Sequence, residues 1–136
     1  MDILDIIGPI MVGPSSSHTA GAVRIGLVAR KLLGSTPVRA ELYLHGSFAA
    51  TGRGHGTDMA LIAGLLGFAP DDERIPQSFE YAKKAGLEFR FDTIQLRDAH
   101  PNSVLIKACG AGGHSIEVVG ASIGGGRIEI REFAGM

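Results

Sequence analysis

Apolar residues recur every three or four positions in three stretches of the chain, and each stretch is followed by a glycine. This spacing predicts amphipathic helices, and a glycine at the end suits the left-handed backbone that commonly terminates a helix. The stretches are residues 22–33 before Gly34, 57–66 before Gly67 and 79–85 before Gly86. A polar turn rich in hydroxyl groups, residues 13–19, precedes the first of them.

Strict alternation marks a different kind of element at residues 38–45, where Val38, Ala40, Leu42 and Leu44 interleave with polar residues. That period predicts a half-buried strand. Four further strands are predicted late in the chain, at 87–95, 103–109, 114–119 and 127–133. Helices early and strands late predict an α+β fold with a largely antiparallel sheet and helices packed on one face. Residues 46–56 are predicted to be a loop, and 70–76 an acidic connector.

The length, charge and apolar stretches of the chain predict a single domain and disfavour nucleic-acid-binding, membrane and secreted proteins. At 136 residues we expect a single domain spanning 1–136. Thirteen basic and 14 acidic residues give a net charge of −1 without a basic stripe, which disfavours nucleic-acid binding. Apolar stretches fall short of the roughly 20 residues of a membrane span. Asp2 and Asp5 stand where a secretory signal carries basic residues, so we expect a cytoplasmic protein.

The single cysteine, Cys109, excludes an internal disulfide and a self-contained iron–sulfur or cysteine-rich zinc site. The 20 glycines gather at 46–56, 110–113 and 124–126. Such clusters indicate tight turns and close approach of the backbone to a ligand. For the cluster at 110–113, glycines that merely end a loop are an equally good explanation.

The motif with the most specific chemistry is residues 13–21, G-P-S-S-S-H-T-A-G, directly ahead of the first helix. Free backbone N–H groups, hydroxyls and the positive end of a helix dipole favour a bound carboxylate or phosphate. The motif lacks the Gly-Lys-Ser/Thr ending of a Walker A loop, which disfavours a nucleotide. One serine could act only as the N-cap, but three consecutive serines exceed what a cap requires.

A second motif, residues 45–48 and 51–58, connects the first strand to the second helix. His55 lies between two glycines, so a ligand could approach it closely, and Arg53 is nearby. Asp58 could orient an imidazole or cap the following helix. An isolated histidine is otherwise an ordinary surface or core residue.

Two shorter motifs are H-P-N at His100-Pro101-Asn102 and S-I-G-G-G at 122–126. Both also have the composition of ordinary turns. A serine hydrolase is disfavoured because Ser15, Ser16 and Ser17 stand at the start of a helix, where serines look more like ligand-binding groups than activated nucleophiles. His18, His45, His55 and His100 could converge in space, but their spacing matches no zinc pattern.

In this order and combination, the four motifs resemble the β chain, or β domain, of bacterial iron–sulfur L-serine dehydratases. The likeness extends from Ile6 to about Glu132. It implies conversion of L-serine to pyruvate and ammonia without pyridoxal phosphate. It also implies a separate α chain or domain whose three cysteines hold a 4Fe–4S cluster with one open iron, a Lewis acid for the substrate hydroxyl and carboxylate. The implied fold is similar to the allosteric substrate-binding domain of some phosphoglycerate dehydrogenases.

The resemblance assigns roles to residues at an active site shared with the α chain. His18 and His55 are the candidates for acid–base catalysis, and the choice of base between them stays open. Asp58 orients the loop. The substrate-binding residues are Ser15, Ser16, Ser17, Thr19, Gly54, Thr57, Asp58 and Asn102. No metal ligand is assigned to this chain, and self-association into a homodimer through its partner-binding face is a further expectation.

In one respect the sequence departs from the family. Two-chain members usually continue into a small ACT regulatory domain, whereas this chain stops at Met136, so we expect no ACT domain. The competing hypothesis is a non-catalytic module that senses serine or a related anion. Such a sensor requires a carboxylate site but not His55, so replacing His55 would leave its affinity intact.

Overall fold

The computed structural model describes residues 16–51 and 56–135. Its elements comprise helices early in the chain and mostly strands later. They are α1 (Ser16–Leu33), β1 (Arg39–Gly46), α2 (Ser47–Thr51), α3 (Thr57–Leu65), a 3₁₀ turn (Ile75–Gln77), α4 (Ser78–Ala85), β2 (Glu88–Thr93), β3 (Asn102–Cys109), β4 (Ser115–Gly124) and β5 (Arg127–Gly135).

The five strands form one sheet in the order β2-β1-β3-β4-β5. β1 and β2 are parallel, and every other neighbouring pair is antiparallel. The predicted α+β class with a largely antiparallel sheet is therefore confirmed. The likeness to the phosphoglycerate dehydrogenase domain stays a prediction.

Burial alternates along the strands because successive side chains point to opposite faces of the sheet. One face is fully buried beneath the helices, and its side chains are Ala40, Leu42, Leu44, Val104, Ile106, Ala108, Ile116 and Val118. The opposite face of β1 carries Glu41 and Tyr43, and the Tyr43 hydroxyl donates to Glu41 Oε1 at 2.7 Å. That hydrogen bond lowers the pKa of Glu41 and raises the pKa of Tyr43. Helices thus cover one face of the sheet, as predicted.

The three predicted helices are present, and their ends show why the sequence stops them there. Gly34, Gly67 and Gly86 all have positive φ, at 91°, 91° and 81°. Helix α1 begins earlier than predicted, at Ser16, so residues 16–19 form its first turn rather than a turn ahead of it. Serine and threonine suit that position because their hydroxyls can serve the free N–H groups of a first turn.

Helix α2 was not predicted, because residues 46–56 are rich in glycine and threonine and were interpreted as a loop. It forms because Phe48 is fully buried in the core and anchors the segment. A backbone hydrogen bond also holds the start of α2 in place, since the Ser47 N–H donates to Pro101 O at 2.7 Å.

Strand β4 is longer than predicted, continuing past Val119 to Gly124. The extension carries small residues because α1 lies directly above it. A Cβ on Gly120 would lie 2.9 Å from Ile25 Cγ2 of that helix. Of residues 122–126, which also have the composition of a turn, Ser122 and Gly124 pair with β5 around a bulge at Ile123, and only Gly125 and Gly126 form the turn.

Helices α1 and α3 cross at close range and run in the same direction. A Cβ on Gly26 would collide with Leu61 O and lie 2.9 Å from Gly64 Cα. Farther along both helices, Gly67 lies against the guanidinium of Arg30. Eight of the nine residues of α3 are buried, so the helix is a central element of the core.

Within the part of the chain that the structure describes, no helix is both long enough and apolar enough to cross a membrane.

The acidic connector before α4 contains a local ion pair with a consequence for pH dependence. Asp72 accepts hydrogen bonds from the Arg74 side chain at 2.7 and 3.0 Å and from its backbone N–H at 2.8 Å. The side-chain bonds and then the backbone bond lower the Asp72 pKa from 3.8 to about 2.

We expect Asp72→Asn to destabilise the fold modestly at neutral pH, because a lowered pKa means that the ionised carboxylate stabilises the folded state. That contribution is complete above about pH 4 and is lost as the pH falls towards 2. Urea unfolding of both proteins between pH 7 and pH 3 measures the effect. A stability difference that did not shrink with falling pH would contradict the assignment.

Candidate functional site

Three of the four motifs meet at one end of the sheet, where β1 ends, β3 begins and β4 ends. Gly46 pairs with Asn102, and His45 pairs with Ser103. Ser103 in turn pairs with Ala121, the residue before Ser122. Antiparallel pairing therefore brings the H-G-S-F, H-P-N and S-I-G-G-G segments together, although they are far apart in the sequence.

The turn between the first two of these segments is tight and requires a glycine. Gly46 has φ of 63°, and a Cβ there would collide with Pro101 O and lie 2.9 Å from Pro101 Cα. The Ser47 N–H donates to the same carbonyl. The glycine thus holds the start of α2 against the H-P-N segment.

The start of α1 lies at the same end of the sheet. A Cβ on Gly21 would collide with Ser122 Oγ and lie 2.8 Å from Ser122 Cβ, and a Cβ on Gly126 would lie 3.7 Å from Ala20 Cβ. The first and fourth motifs are therefore in contact. Because α1 and α3 run in the same direction, both helices begin here, and their positive dipole ends favour an anion at this end of the sheet.

Two predicted site residues open α3. Thr57 and Asp58 have only 4% and 5% of their surface exposed. The Met59 N–H donates to Asp58 Oδ1 at 2.8 Å. The N-cap of α3 is Gly56, which has no side chain to cap the helix, so the suggestion that Asp58 caps it is wrong. Its orienting role toward a histidine stays a prediction, since His55 is outside the described residues.

Of the remaining predicted residues, the structure places two, and the others lie outside the part of the chain that it describes. Thr19, half-buried in the first turn of α1, and Asn102, at the start of β3, are placed at this end of the sheet. Ser15, Gly54 and His55 lie outside the described residues, as do the side chains of Ser16, Ser17 and His18. Their roles stay predictions.

Two other histidines lie here, and both have structural hydrogen bonds. His45 Nδ1 accepts the Leu96 N–H at 3.0 Å, and His100 Nδ1 accepts the Asn102 N–H at 3.0 Å. A neutral ring that accepts at Nδ1 carries its proton on Nε2. These bonds fix the 94–102 connection against the ends of β1 and β3.

Sequence reasoning did not assign a role to Ser122, although it singled out the S-I-G-G-G motif. The motif looked like a turn, and nothing local indicated that its serine would be completely buried against α1. Only the pairing of β4 with β3 and the closeness of Gly21 reveal its place in the site.

The described residues provide no site for a metal or an iron–sulfur cluster. Among them, no three His, Cys, Asp or Glu side chains gather as ligands. Cys109 is a free thiol at the opposite end of β3 from Asn102, roughly 23 Å away at the rise of an extended strand. A cluster acting at this site would require cysteines from outside residues 1–136.

Comparison with known families settles the relationship of the chain. The family model described as "Serine dehydratase beta chain" matches residues 2–86, more than half of the sequence. The chain belongs to the serine dehydratase beta chain family. The resemblance inferred from the four motifs is confirmed.

Relatives within the family extend the likeness to nearly the whole chain. It is 53% identical over 133 residues to the L-serine dehydratase beta chain of Peptoniphilus asaccharolyticus, which covers 97% of this chain and 60% of that protein. It is 50% identical to the probable L-serine dehydratase beta chain of Bacillus subtilis, covering 98% and 60%. L-serine dehydratase 2 of Escherichia coli is 43% identical over an aligned region of 77 residues, and the match covers 52% of this chain and 16% of that protein. The chain thus spans 60% of the length of the two beta chains.

Proposed function

We propose that this chain is the substrate-binding half of an L-serine dehydratase, which converts L-serine to pyruvate and ammonia. The observation that carries the proposal is the convergence of the four motifs at one end of the sheet, with Gly21 of α1 against Ser122 of β4. The names of the relatives, L-serine dehydratase beta chains, support the same activity.

The chemistry of the site suits an amino-acid carboxylate. Two helices begin at this end of the sheet, and their free N–H groups and positive dipole ends attract an anion. In the proposed complex, the hydroxyls of Ser15, Ser16, Ser17 and Thr19 hold the carboxylate or ammonium group of L-serine. Thr57, Asp58 and Asn102 lie around the same end, and Gly54, outside the described residues, is a further substrate-binding residue in the proposal.

Elimination of water from L-serine requires removal of the α-proton and departure of the β-hydroxyl. A histidine titrating near neutrality is an apt base, and His18 or His55 takes this role in the proposal. The histidine takes the α-proton, the Cα–Cβ double bond forms as the Cβ–O bond breaks, and the departing hydroxide takes up a proton and leaves as water. The resulting enamine tautomerises to an imine, which water hydrolyses to pyruvate and ammonia.

The proposed cofactor is a 4Fe–4S cluster held by a separate α chain. When bound, it supplies a Lewis acid that makes the substrate hydroxyl a better leaving group. The position of Cys109, at the far end of β3, supports a cluster that belongs to the partner rather than to this chain. This chain then supplies the polar groups that orient the substrate and move its proton.

Anaerobic reconstitution tests the proposal directly. This chain is mixed with a cluster-bearing α chain of an L-serine dehydratase, and pyruvate formation from L-serine is followed. We expect activity in the mixture and none with either chain alone. An inactive mixture, in a preparation whose α chain is active with its own beta chain, would contradict the proposal. If this chain alone then bound L-serine, the sensing module would be the better explanation.

A further inference from the structure

Ser122 carries a buried hydroxyl that has no hydrogen-bond partner among the described residues. The side chain is completely buried. Two other fully buried serines differ in this respect: Ser78 Oγ donates to Ile75 O at 2.6 Å, and Ser103 Oγ donates to His100 O at 2.7 Å. The fold can therefore satisfy a buried serine, and at Ser122 it does not.

An unpaired buried hydroxyl costs free energy, because it gives up its hydrogen bonds to water and gains none in return. Native structures contain few such groups, and each calls for an explanation. Alanine at this position would fill almost the same volume without that cost. A serine that the lone chain does not use is best explained by a state in which it is used.

The location of Ser122 identifies that state. It lies at the end of β4, on the face of the sheet beneath α1, immediately before a bulge that separates it from Gly124. Bulges next to active sites commonly redirect a side chain. Because Gly21 has no Cβ, the hydroxyl lies directly against the backbone of the second turn of α1. The first turn of that helix carries the predicted carboxylate-binding residues.

We propose that Ser122 is a positioning residue of the dehydratase site, whose hydroxyl gains its hydrogen bond only when L-serine and the α chain are bound. In that state it ties β4 to the beginning of α1 and holds the carboxylate-binding turn in its productive position. The inference rests on the proposed function and goes beyond it, because it assigns a role to a residue that never touches the substrate.

Two alanine variants test it, Ser122→Ala and the matched control Ser78→Ala, whose hydroxyl already donates to Ile75 O and which belongs to none of the four motifs. In urea unfolding of the isolated chain, we expect Ser122→Ala to be at least as stable as the wild type and Ser78→Ala to be less stable. In the reconstituted enzyme, we expect Ser122→Ala to raise KM for L-serine about 10-fold, equivalent to about 1.4 kcal/mol, with a smaller change in kcat. Ser78→Ala should leave both constants near the wild-type values.

Two results would overturn the inference. If Ser122→Ala lost as much stability as Ser78→Ala, the hydroxyl would already be bonded in the lone chain. If the wild-type mixture were active and Ser122→Ala had unchanged KM and kcat, the residue would have no positioning role. A wild-type mixture without activity is a different outcome, since it contradicts the proposed dehydratase function itself.

Discussion

If the proposed dehydratase uses His18 or His55 as its base, alanine in place of that histidine is expected to reduce kcat of the reconstituted enzyme by about 10²- to 10⁴-fold, the contribution typical of a positioned acid–base group. His18 and His55 are the two candidates, so both variants are made. The variant that lacks the base should also lose the limb of the pH–rate profile in which the wild-type histidine deprotonates. Steady-state rates of pyruvate formation across pH measure both effects.

His114→Ala is the matched control, because His114 is exposed on the turn between β3 and β4, at the end of the sheet away from the site. Its Nε2 lies 2.9 Å from Leu33 O, so the substitution removes one contact that has no part in the chemistry. We expect kcat to be unchanged in this variant. Full activity in either the His18 or the His55 variant would eliminate that residue as the base, and full activity in both would refute the acid–base assignment.

The second large effect is expected at the crossing of α1 and α3, where Gly64→Ala should destabilise the fold by about 1–3 kcal/mol. A Cβ on Gly64 would collide with Val23 O and lie 2.8 Å from both Gly26 Cα and Leu27 N. These are backbone atoms, which cannot move aside by rotating a side chain. The two helices would have to separate, and the start of α3, with Thr57 and Asp58, would shift relative to α1.

The sign of this effect is diagnostic, because alanine is the better helix former by about 1 kcal/mol. A loosely packed crossing would therefore make Gly64→Ala stabilising. Gly112→Ala is the control: its nearest neighbours, His114 Nδ1 and Cε1, would lie at 3.5 and 3.8 Å, an ordinary contact. Urea unfolding measures the free energy of unfolding of both variants and of the wild type. A Gly64→Ala protein more stable than the wild type would contradict the close crossing.

Local patterns predicted most of the fold because local forces determine most of its elements. Apolar residues every three or four positions, followed by a glycine, were sufficient to predict α1, α3 and α4. Alternating apolar and polar residues were sufficient to predict β1. The errors lie where tertiary contacts override composition. Phe48 draws a glycine-flanked segment into α2, and the approach of α1 to Gly120 explains why small residues continue β4.

The candidate site was predictable as a set of motifs but not as an arrangement. Nothing local indicates that Gly46 pairs with Asn102, or that Gly21 contacts Ser122, because strand pairing depends on the whole sheet. For the same reason, the local sequence does not reveal the place of Ser122 in the site. Its significance lies in complete burial without a partner, and burial of a turn-like serine is a property of the assembled fold.

The central position of β3 also has a consequence for the order of events in folding. β3 lies between β1 and β4, so the ends of those strands are not brought together until it has inserted. Pairing Gly46 with Asn102 closes a long segment of chain, and such non-local contacts form slowly compared with local helices. Until β3 and β4 are synthesised, a nascent chain lacks the strands against which α1 packs. The candidate site should therefore assemble late and in a single step, as the last strands join the sheet.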